Sequence, residues 1–210
     1  MFLQGACGNI RPRTFDPGNY GFRQGTAEEL ERMGHACAHE VVTLLHDGLR
    51  PAGGELSAAK QQLGLPLEHQ PTLEMLKKQV DSTDQFERLF AQWAVQQWPD
   101  GRIPREMRYE VQLLTFGDDV SVLAMPGEVV NELGYAARRI VPRPTAFCGY
   151  SNGLPAYIPT ARIRRQGGYE SGLRANEFFG VPGWLMPESE LVILGAVEAL
   201  CGEHPAELIG

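Results

Sequence analysis

The chain has 210 residues, 43% of them hydrophobic and 21% charged, which is ordinary for a globular protein and long enough to bury a core. A formal net charge of −7 argues against a nucleic-acid-binding protein, which usually carries a basic face, and against electrostatic docking on anionic lipid. No apolar run approaches the roughly 20 residues that span a bilayer. The first residues lack the basic leader and apolar core of a signal peptide, and the compartment stays open.

The four cysteines are scattered along the chain and contain no CxxC pair, so neither a disulfide framework nor a structural zinc spacing is predicted. We interpret them as buried or incidental thiols: Cys7, Cys37, Cys148 and Cys201.

The first quarter of the sequence predicts a short strand, a loop and a long helix. Residues 1–10 are apolar and punctuated by glycine, which is typical of a buried strand that runs into a loop at residues 8–12, and residues 12–25 are rich in Gly, Pro, Asn and Arg, hence loop. Thr26 and Glu29 have the spacing of a capping box, which predicts a helix from there to about Asp47. Its apolar stripe comprises Leu30, Met33, Cys37, Val41 and Leu44.

The middle of the chain predicts two helices and a hairpin. Residues 49–70 are less regular, with room for one or two short strands. Helical periodicity covers residues 72–80 and 83–98. Alternating apolar residues at 111–115 and 120–124 flank a turn rich in Gly and Asp, which indicates a β-hairpin.

The second half alternates strand and helix patterns. An amphipathic helical pattern starts at Glu128, just after the Pro126-Gly127 break, and extends to Ile140. Residues 145–150 and 157–160 read as extended, and residues 187–201 as a last helix. The sequence therefore predicts an α/β fold with a mixed sheet flanked by helices, in one domain over residues 1–210.

Two histidines offer a possible metal site. His35 and His39 are four residues apart on the long helix, a spacing that suits two-point metal binding, and His46 falls near the same line. The HExxH pattern of metalloproteases is absent, and all three lie opposite the apolar stripe. We interpret them as solvated surface residues, with a metal site at His35 and His39 as the alternative.

A second group of candidates surrounds Glu128. A carboxylate beyond a strand end is where α/β folds place chemistry, although it could equally be a charge favoured at a helix start. Tyr157 and Tyr169 could ligate a metal or donate to an oxyanion if their pKa values were lowered, or could simply pack. The glycine-rich turn at residues 5–10 could bring backbone N–H groups to an anion, or could be a tight turn.

Taken together, these stretches resemble the neutral/alkaline non-lysosomal ceramidase family, specifically the C-terminal half of its catalytic domain. The matching stretches occur in the family's order: residues 2–12 (FLQGACGNIRP), 125–128 (MPGE), 150–153 (YSNG), 156–160 (AYIPT) and 167–170 (GGYE).

The resemblance implies a zinc-dependent amidase that splits the N-acyl bond of ceramide. It assigns Glu128 and Tyr157 as zinc ligands and Tyr169 as a catalytic residue that stabilises the oxyanion. Gly8, Asn9 and Asn152 would belong to the substrate and oxyanion loops. The family's histidine ligands precede the residue 2–12 motif, so the remaining zinc ligands are expected outside this chain.

The expected function is thus hydrolysis of an N-acylated lipid or other amide, incomplete in this chain without the N-terminal half of the domain. The residue 2–12 motif also departs from the family's, because Asn9 and Arg11 stand where eukaryotic-type enzymes have Asp and a catalytic Ser. The alternatives are a non-catalytic remnant that binds a lipid or a partner, and an unrelated hydrolase that uses His35 and His39. The family is often secreted or membrane-facing, which leaves localisation undetermined.

Overall fold

A computed structural model describes residues 2–202 of the protein, with residues 173 and 174 described by their backbone alone. The chain divides into two compact units. One comprises Met1–Asn9 together with Gly54–Gly210, and the other is Ile10–Gly53.

The strands and helices are numbered along the chain. The strands are β1 (Phe15–Asp16), β2 (Gly21–Phe22), β3 (Leu56–Glu68), β4 (Glu106–Phe116), β5 (Val120–Ala124), β6 (Glu128–Val129), β7 (Thr145–Cys148), β8 (Tyr157–Ile158) and β9 (Trp184–Leu185). The helices are α1 (Ala27–His46), α2 (Leu73–Gln79), α3 (Gln85–Gln97), α4 (Asn131–Ile140), α5 (Ala161–Gln166), α6 (Leu173–Phe178) and α7 (Ser189–Gly202). A single turn of 3-10 helix spans Tyr169–Ser171.

The smaller unit consists of the antiparallel pair β1–β2 and helix α1. The predicted capping box is confirmed: Thr26 Oγ1 accepts the Glu29 N–H at 3.2 Å, and Glu29 Oε2 accepts the Thr26 N–H at 3.0 Å. In α1, all of which the structure describes, no residue is buried. The apolar stripe is therefore as open as the histidine side, with Leu30 71% exposed.

The larger unit is built on a five-stranded mixed sheet in the order β7-β5-β4-β3-β9. Strands β5 and β7 are parallel and the other neighbours are antiparallel. The predicted α/β class with a mixed sheet and flanking helices is confirmed, as is the β4–β5 hairpin. Within residues 2–202, no helix has the length and apolar character needed to cross a membrane.

Strand β3 shows how tertiary pairing overrides weak local propensity. It pairs with β4 over eleven positions, from Leu56 opposite Phe116 to Pro66 opposite Glu106. The sequence predicted only one or two short strands here, because the segment lacks β-branched and aromatic residues and contains Gly64 and Pro66. Its strand conformation comes from the well-patterned neighbour β4.

The main core lies between this sheet and helices α4 and α7. Val111 and Leu123 from the sheet, Leu133 from α4, and Ile193 and Val197 from α7 are all fully buried. Burial of a side chain of this size contributes about 1.5–3 kcal/mol. A second, smaller cluster joins α2 to α3 through Leu76, Phe90, Ala91 and Ala94.

The predicted strand at residues 1–10 is wrong over the part that the structure describes, residues 2–10. This segment makes single backbone hydrogen bonds to two different partners: the Gln4 carbonyl accepts the Gly149 N–H at 2.8 Å, and the Gly8 N–H donates to the Val129 carbonyl at 2.9 Å. No continuous ladder forms, so the segment packs as an irregular chain. Phe2, whose apolar character favoured a strand, is 83% exposed.

Candidate active site around Glu128

Glu128 lies in a backbone framework that is fixed on both sides. Beyond β5, the Met125 N–H donates to the Cys148 carbonyl at 2.9 Å, and the buried Tyr109 hydroxyl donates to the Pro126 carbonyl at 2.8 Å. Gly127 has φ +82°, and a Cβ there would stand 2.6 Å from the Ala156 carbonyl oxygen. A glycine is therefore required to bring Glu128 alongside the next strand.

The structure pairs Glu128 with Tyr157. Strands β6 and β8 are parallel, and Glu128 stands opposite Tyr157 in register. The Glu128 N–H donates to the Ala156 carbonyl at 2.9 Å, which ties the start of the pair together. The sequence had placed Glu128 at a helix start. Instead, Glu128 is the first residue of the two-residue strand β6, which precedes α4. This strand forms because β8 supplies a pairing partner that the local sequence pattern does not reveal.

Tyr157 is buried at the position opposite Glu128. Only 9% of the residue is exposed. Burial raises the pKa of Tyr157 above its usual range, and the hydrogen bond to Glu128 raises it further. Both effects favour the protonated form of the Tyr157 phenol.

Tyr150 is a second phenol at this carboxylate, and it was not among the predicted site residues. Burial, the hydrogen bond with the Cys7 thiol and the charge of Glu128 raise the pKa of Tyr150 above its usual range. The Cys7 thiol donates to its hydroxyl, with 3.6 Å between Sγ and Oη. The motif at residues 150–153 includes Tyr150, but in that motif only Asn152 was predicted as a site residue.

Tyr169 completes the aromatic side of the cluster. Its ring packs edge-to-face on Tyr157, with 5.5 Å between centroids. Two glycines with positive φ, Gly167 at +78° and Gly168 at +102°, turn the chain into the short helix that carries it. Tyr169 is 62% exposed, so its hydroxyl is open to an incoming molecule.

Gly8, in the residue 2–12 motif, packs against the backbone of β6. A Cβ on Gly8 would stand 2.4 Å from the Glu128 carbonyl oxygen, which explains why a glycine is needed there. The Asn9 side chain makes two hydrogen bonds to the start of α4. Its Oδ1 accepts the Asn131 N–H at 2.8 Å, and its Nδ2 donates to the Glu132 carboxylate at 2.7 Å. Asn9 thereby caps α4 from a distant part of the chain, since Val130 provides no side-chain cap.

Asn152 lies in the loop after Tyr150 with φ +61°. Its Nδ2 donates to Glu110 Oε1 at 3.4 Å, and the carbonyl of the next residue, Gly153, accepts the Gly127 N–H at 3.0 Å. The loop is therefore connected to the Glu128 turn by its backbone. The Asn152 side chain itself hydrogen-bonds to Glu110 of β4.

Four of the five histidines of the sequence lie within the described residues. Among residues 2–202, no group of three or more His, Cys, Asp or Glu side chains could hold a metal ion. His35 and His39 lie on the exposed helix α1, where His35 faces Glu31 at 3.6 Å. His69 packs edge-to-face on Trp184 and faces Glu68. His204 lies outside the described residues.

Two cavities of the larger unit have no lining residue from this cluster. One, of about 620 Å³, is lined by Ser57, Thr115 and Arg143 among others, and a second, of about 400 Å³, by aromatic residues of α3 and α6. Neither shares a lining residue with the Glu128 cluster.

The fold that positions this cluster is a mixed α/β sheet with flanking helices, and it matches part of solved ceramidase structures. A crystal structure of neutral ceramidase from Pseudomonas aeruginosa superposes with a TM-score of 0.57 at 17% identity, covering 98% of this chain and 38% of that one. A ceramidase structure described as complexed with C2 gives a TM-score of 0.54 at 14% identity, covering 91% and 37%.

The protein thus has a ceramidase-like fold, and the chain spans less than two fifths of the length of the ceramidase chains it matches. No protein-family model and no curated protein sequence matches it. At identities of 17% and 14%, the likeness to these structures defines the fold of this chain and not its chemistry.

Proposed function

We propose that this chain supplies part of the active site of a ceramidase-like amide hydrolase, with an N-acylated lipid or another amide as substrate. The observation that carries the proposal is the in-register pairing of Glu128 with Tyr157, with Tyr169 packed on Tyr157 and open to solvent. Glu128, Tyr150, Tyr157 and Tyr169 lie on separate segments of the chain, and the fold brings these segments together.

Glu128 and Tyr157 fit two positions of a zinc site. A carboxylate oxygen and a phenolic oxygen are both hard donors, and the two residues stand opposite each other in the β6–β8 pair. Two ligands are fewer than the three that catalytic zinc normally takes from its protein. We infer that the remaining ligands come from a segment beyond this chain, the N-terminal half that the resemblance implies.

Each residue then has a defined task. Bound zinc would polarise the amide carbonyl and lower the pKa of a water molecule. Glu128 and Tyr157 would hold that ion from one side. The exposed Tyr169 hydroxyl would donate a hydrogen bond to the oxyanion as the carbonyl carbon becomes tetrahedral. The segment of residues 5–9 and the loop at Asn152 would border the substrate.

The assignment of residues 1–210 to one domain stays a prediction.

Metal binding by purified variants tests this proposal. Zinc bound by the wild-type chain and lost in Glu128→Gln, but kept in His39→Ala, supports the site at Glu128. Zinc lost in His39→Ala and kept in Glu128→Gln would instead favour the unrelated hydrolase. We expect the chain alone to be weak or inactive on N-acyl substrates, and to gain activity when a polypeptide that supplies the missing ligands is added.

A second candidate function is a non-catalytic remnant that binds a lipid or a partner. The observation in its favour is the groove of about 400 Å³ between α3 and α6, where Phe86, Trp93 and Phe178 are each at least 40% exposed. Exposed apolar surface of this kind marks an interaction site. This function predicts binding of lipid vesicles or detergent that Trp93→Ala weakens and Tyr169→Phe leaves unchanged.

A further inference from the structure

Helix α1 is a well-capped helix with an open apolar face. The capping box starts it, the Asp47 N–H donates to the Thr43 carbonyl at 2.9 Å at its end, and none of its 20 residues is buried. A helix of this length normally gains most of its stability from packing of its apolar face. Here four large side chains of the stripe are between 37% and 71% exposed: Leu30, Met33, Val41 and Leu44. An open apolar face along a whole helix marks an interaction surface.

The positions of the stripe are symmetric about Cys37, which is itself exposed. Leu30 and Leu44 lie seven residues before and after Cys37, and Met33 and Val41 lie four residues before and after it. At about 100° per residue, all five positions fall within about 40° of one line along the helix. A patch that reads the same in both directions is what a twofold axis requires, because the same surface has to serve on both copies.

An antiparallel pair of α1 helices, with the twofold axis at Cys37, brings the symmetric positions together. Leu30 of one copy then faces Leu44 of the other. Met33 likewise faces Val41, and Cys37 faces its own counterpart. A parallel pair would instead bring the two acidic first turns of α1 side by side, where like charges repel. The charge distribution along the helix therefore favours the antiparallel arrangement.

The charges beside the stripe suit the same pair. Glu29 and Asp47 both lie about 80° to one side of the stripe, and Arg23 donates to Glu29 at 2.9 Å. Across the twofold axis, the same side of one helix meets the same side of the other. Glu29 is then level with position 45 of the other copy, about 3 Å along the axis from Asp47. The guanidinium held by Glu29 thus approaches the Asp47 carboxylate of the other copy, at both ends of the pair.

We propose that α1 is a dimerisation helix, and that two copies of this chain associate through an antiparallel α1 pair with Cys37 on the twofold axis. The inference does not rest on the proposed function, because no residue of the Glu128 cluster takes part. The helix is about 30 Å long and about 10 Å wide, so the contact covers roughly 300 Å² of each copy, less than the roughly 800 Å² of a standard interface. We therefore expect a weak dimer with a dissociation constant of about 1–100 µM. Well below this concentration the chain is monomeric and the stripe is open.

Sedimentation equilibrium of the full chain measures the association. We expect a dimer that forms with increasing concentration and that Leu30→Glu weakens. Glutamate and leucine have similar helix propensities, so α1 is retained. Each leucine contributes about tenfold and the substitution occurs twice in a symmetric dimer, so the dissociation constant should rise about a hundredfold. The matched control Leu191→Glu changes a leucine of α7 that is 72% exposed, against 71% for Leu30, and should leave the dissociation constant unchanged.

A charge pair tests the antiparallel register. Leu30→Glu and Leu44→Lys should each weaken the dimer, and the chain that carries both substitutions should bind itself at least about tenfold more tightly than either single variant. In the antiparallel pair each introduced carboxylate faces an introduced ammonium group, whereas in a parallel pair each faces its own kind. A double variant that is no tighter than the single variants overturns the proposal.

A short bismaleimide locates the axis. Each maleimide adds one thiol across its double bond, so two Cys37 side chains that face each other give a covalent dimer without an oxidant. The product should disappear in Cys37→Ser, and the double variant Cys37→Ser/His39→Cys should not restore it, because position 39 lies on the opposite face of α1. A covalent dimer that does not depend on Cys37 overturns the proposal.

The oligomeric state also separates the other occupants of this surface. A chain that stays monomeric at about 1 mM overturns the proposal, and the stripe is then assigned to another polypeptide if adding that polypeptide protects Cys37 from maleimide. A dimer that Leu30→Glu leaves intact overturns it as well. Association would then use a different surface, such as the α3–α6 groove, and Trp93→Ala would weaken it.

Discussion

Replacing Gly8 by alanine tests whether the residue 2–12 motif packs on the strand that carries Glu128. A Cβ at this position would stand 2.4 Å from the Glu128 carbonyl oxygen and 2.9 Å from the carbonyl carbon. Both atoms belong to the backbone, so no side chain can rotate away. The two segments would have to separate by about 1 Å to reach ordinary contact, which strains the 2.9 Å hydrogen bond from the Gly8 N–H to the Val129 carbonyl.

The expected loss is the sum of these two effects. Overpacking costs about 1–3 kcal/mol, and a weakened backbone hydrogen bond costs about 1 kcal/mol, so Gly8→Ala should lower the free energy of unfolding by about 2–4 kcal/mol. Gly5→Ala is the matched control, because a Cβ there meets nothing within 4 Å. It should lie within about 0.5 kcal/mol of wild type or be slightly more stable.

Urea unfolding followed by circular dichroism measures both variants. We expect a lower midpoint for Gly8→Ala with an unchanged slope. A Gly8→Ala variant as stable as Gly5→Ala would refute the packing of the motif on β6, and with it the argument that this loop borders the candidate site.

Three further predictions concern the core, the hairpin and the α1 cap. Leu133→Ala, at a fully buried position, should lower the free energy of unfolding in urea by about 2–5 kcal/mol. Leu44→Ala, at a position of α1 that is 60% exposed, should lower it by less than about 1 kcal/mol. Similar losses in the two variants would contradict the exposure of the apolar stripe of α1. Tyr109→Phe leaves the buried Pro126 carbonyl without its donor and should cost about 1–3 kcal/mol in the same assay, a value near zero counting against this contact. Hydrogen bonding to Arg23 lowers the pKa of Glu29 from 4.5 to about 2. Because the folded value is the lower one, the stabilisation of α1 by Glu29 is present above pH 4.5 and is lost as the pH falls towards 2. Amide exchange in the first turn of α1 measures this loss, which should be absent in Glu29→Gln.

Local signals in the sequence were sufficient wherever an element depends on its own residues. The capping box at Thr26 predicted the start of α1, and alternation around the turn at residues 117–119 predicted the β4–β5 hairpin. The helical patterns at residues 72–80 and 83–98 correspond to α2 and α3. In each case the periodicity or cap lies within about 20 residues, so no distant partner has to be known.

Elements that depend on a distant partner were not predictable in the same way. Strand β3 has a weak strand composition and forms because β4 offers it eleven partners. The apolar residues 2–10 looked like a strand, yet they find no continuous partner and pack as irregular chain. Asn9 is used to cap α4, 122 positions along the chain, a role that no spacing rule indicates.

The candidate site divides along the same line. The sequence by itself indicated Glu128, Tyr157 and Tyr169 as candidates, because each lies in a short motif whose glycines and prolines can be recognised locally and whose order resembles that of the family. Only the tertiary structure decided that Glu128 stands opposite Tyr157, that Tyr150 joins them, and that the histidines of α1 form no three-residue cluster within residues 2–202. The physical reason is that contacts between loops depend on strand pairing and register, which arise from the packing of the whole sheet.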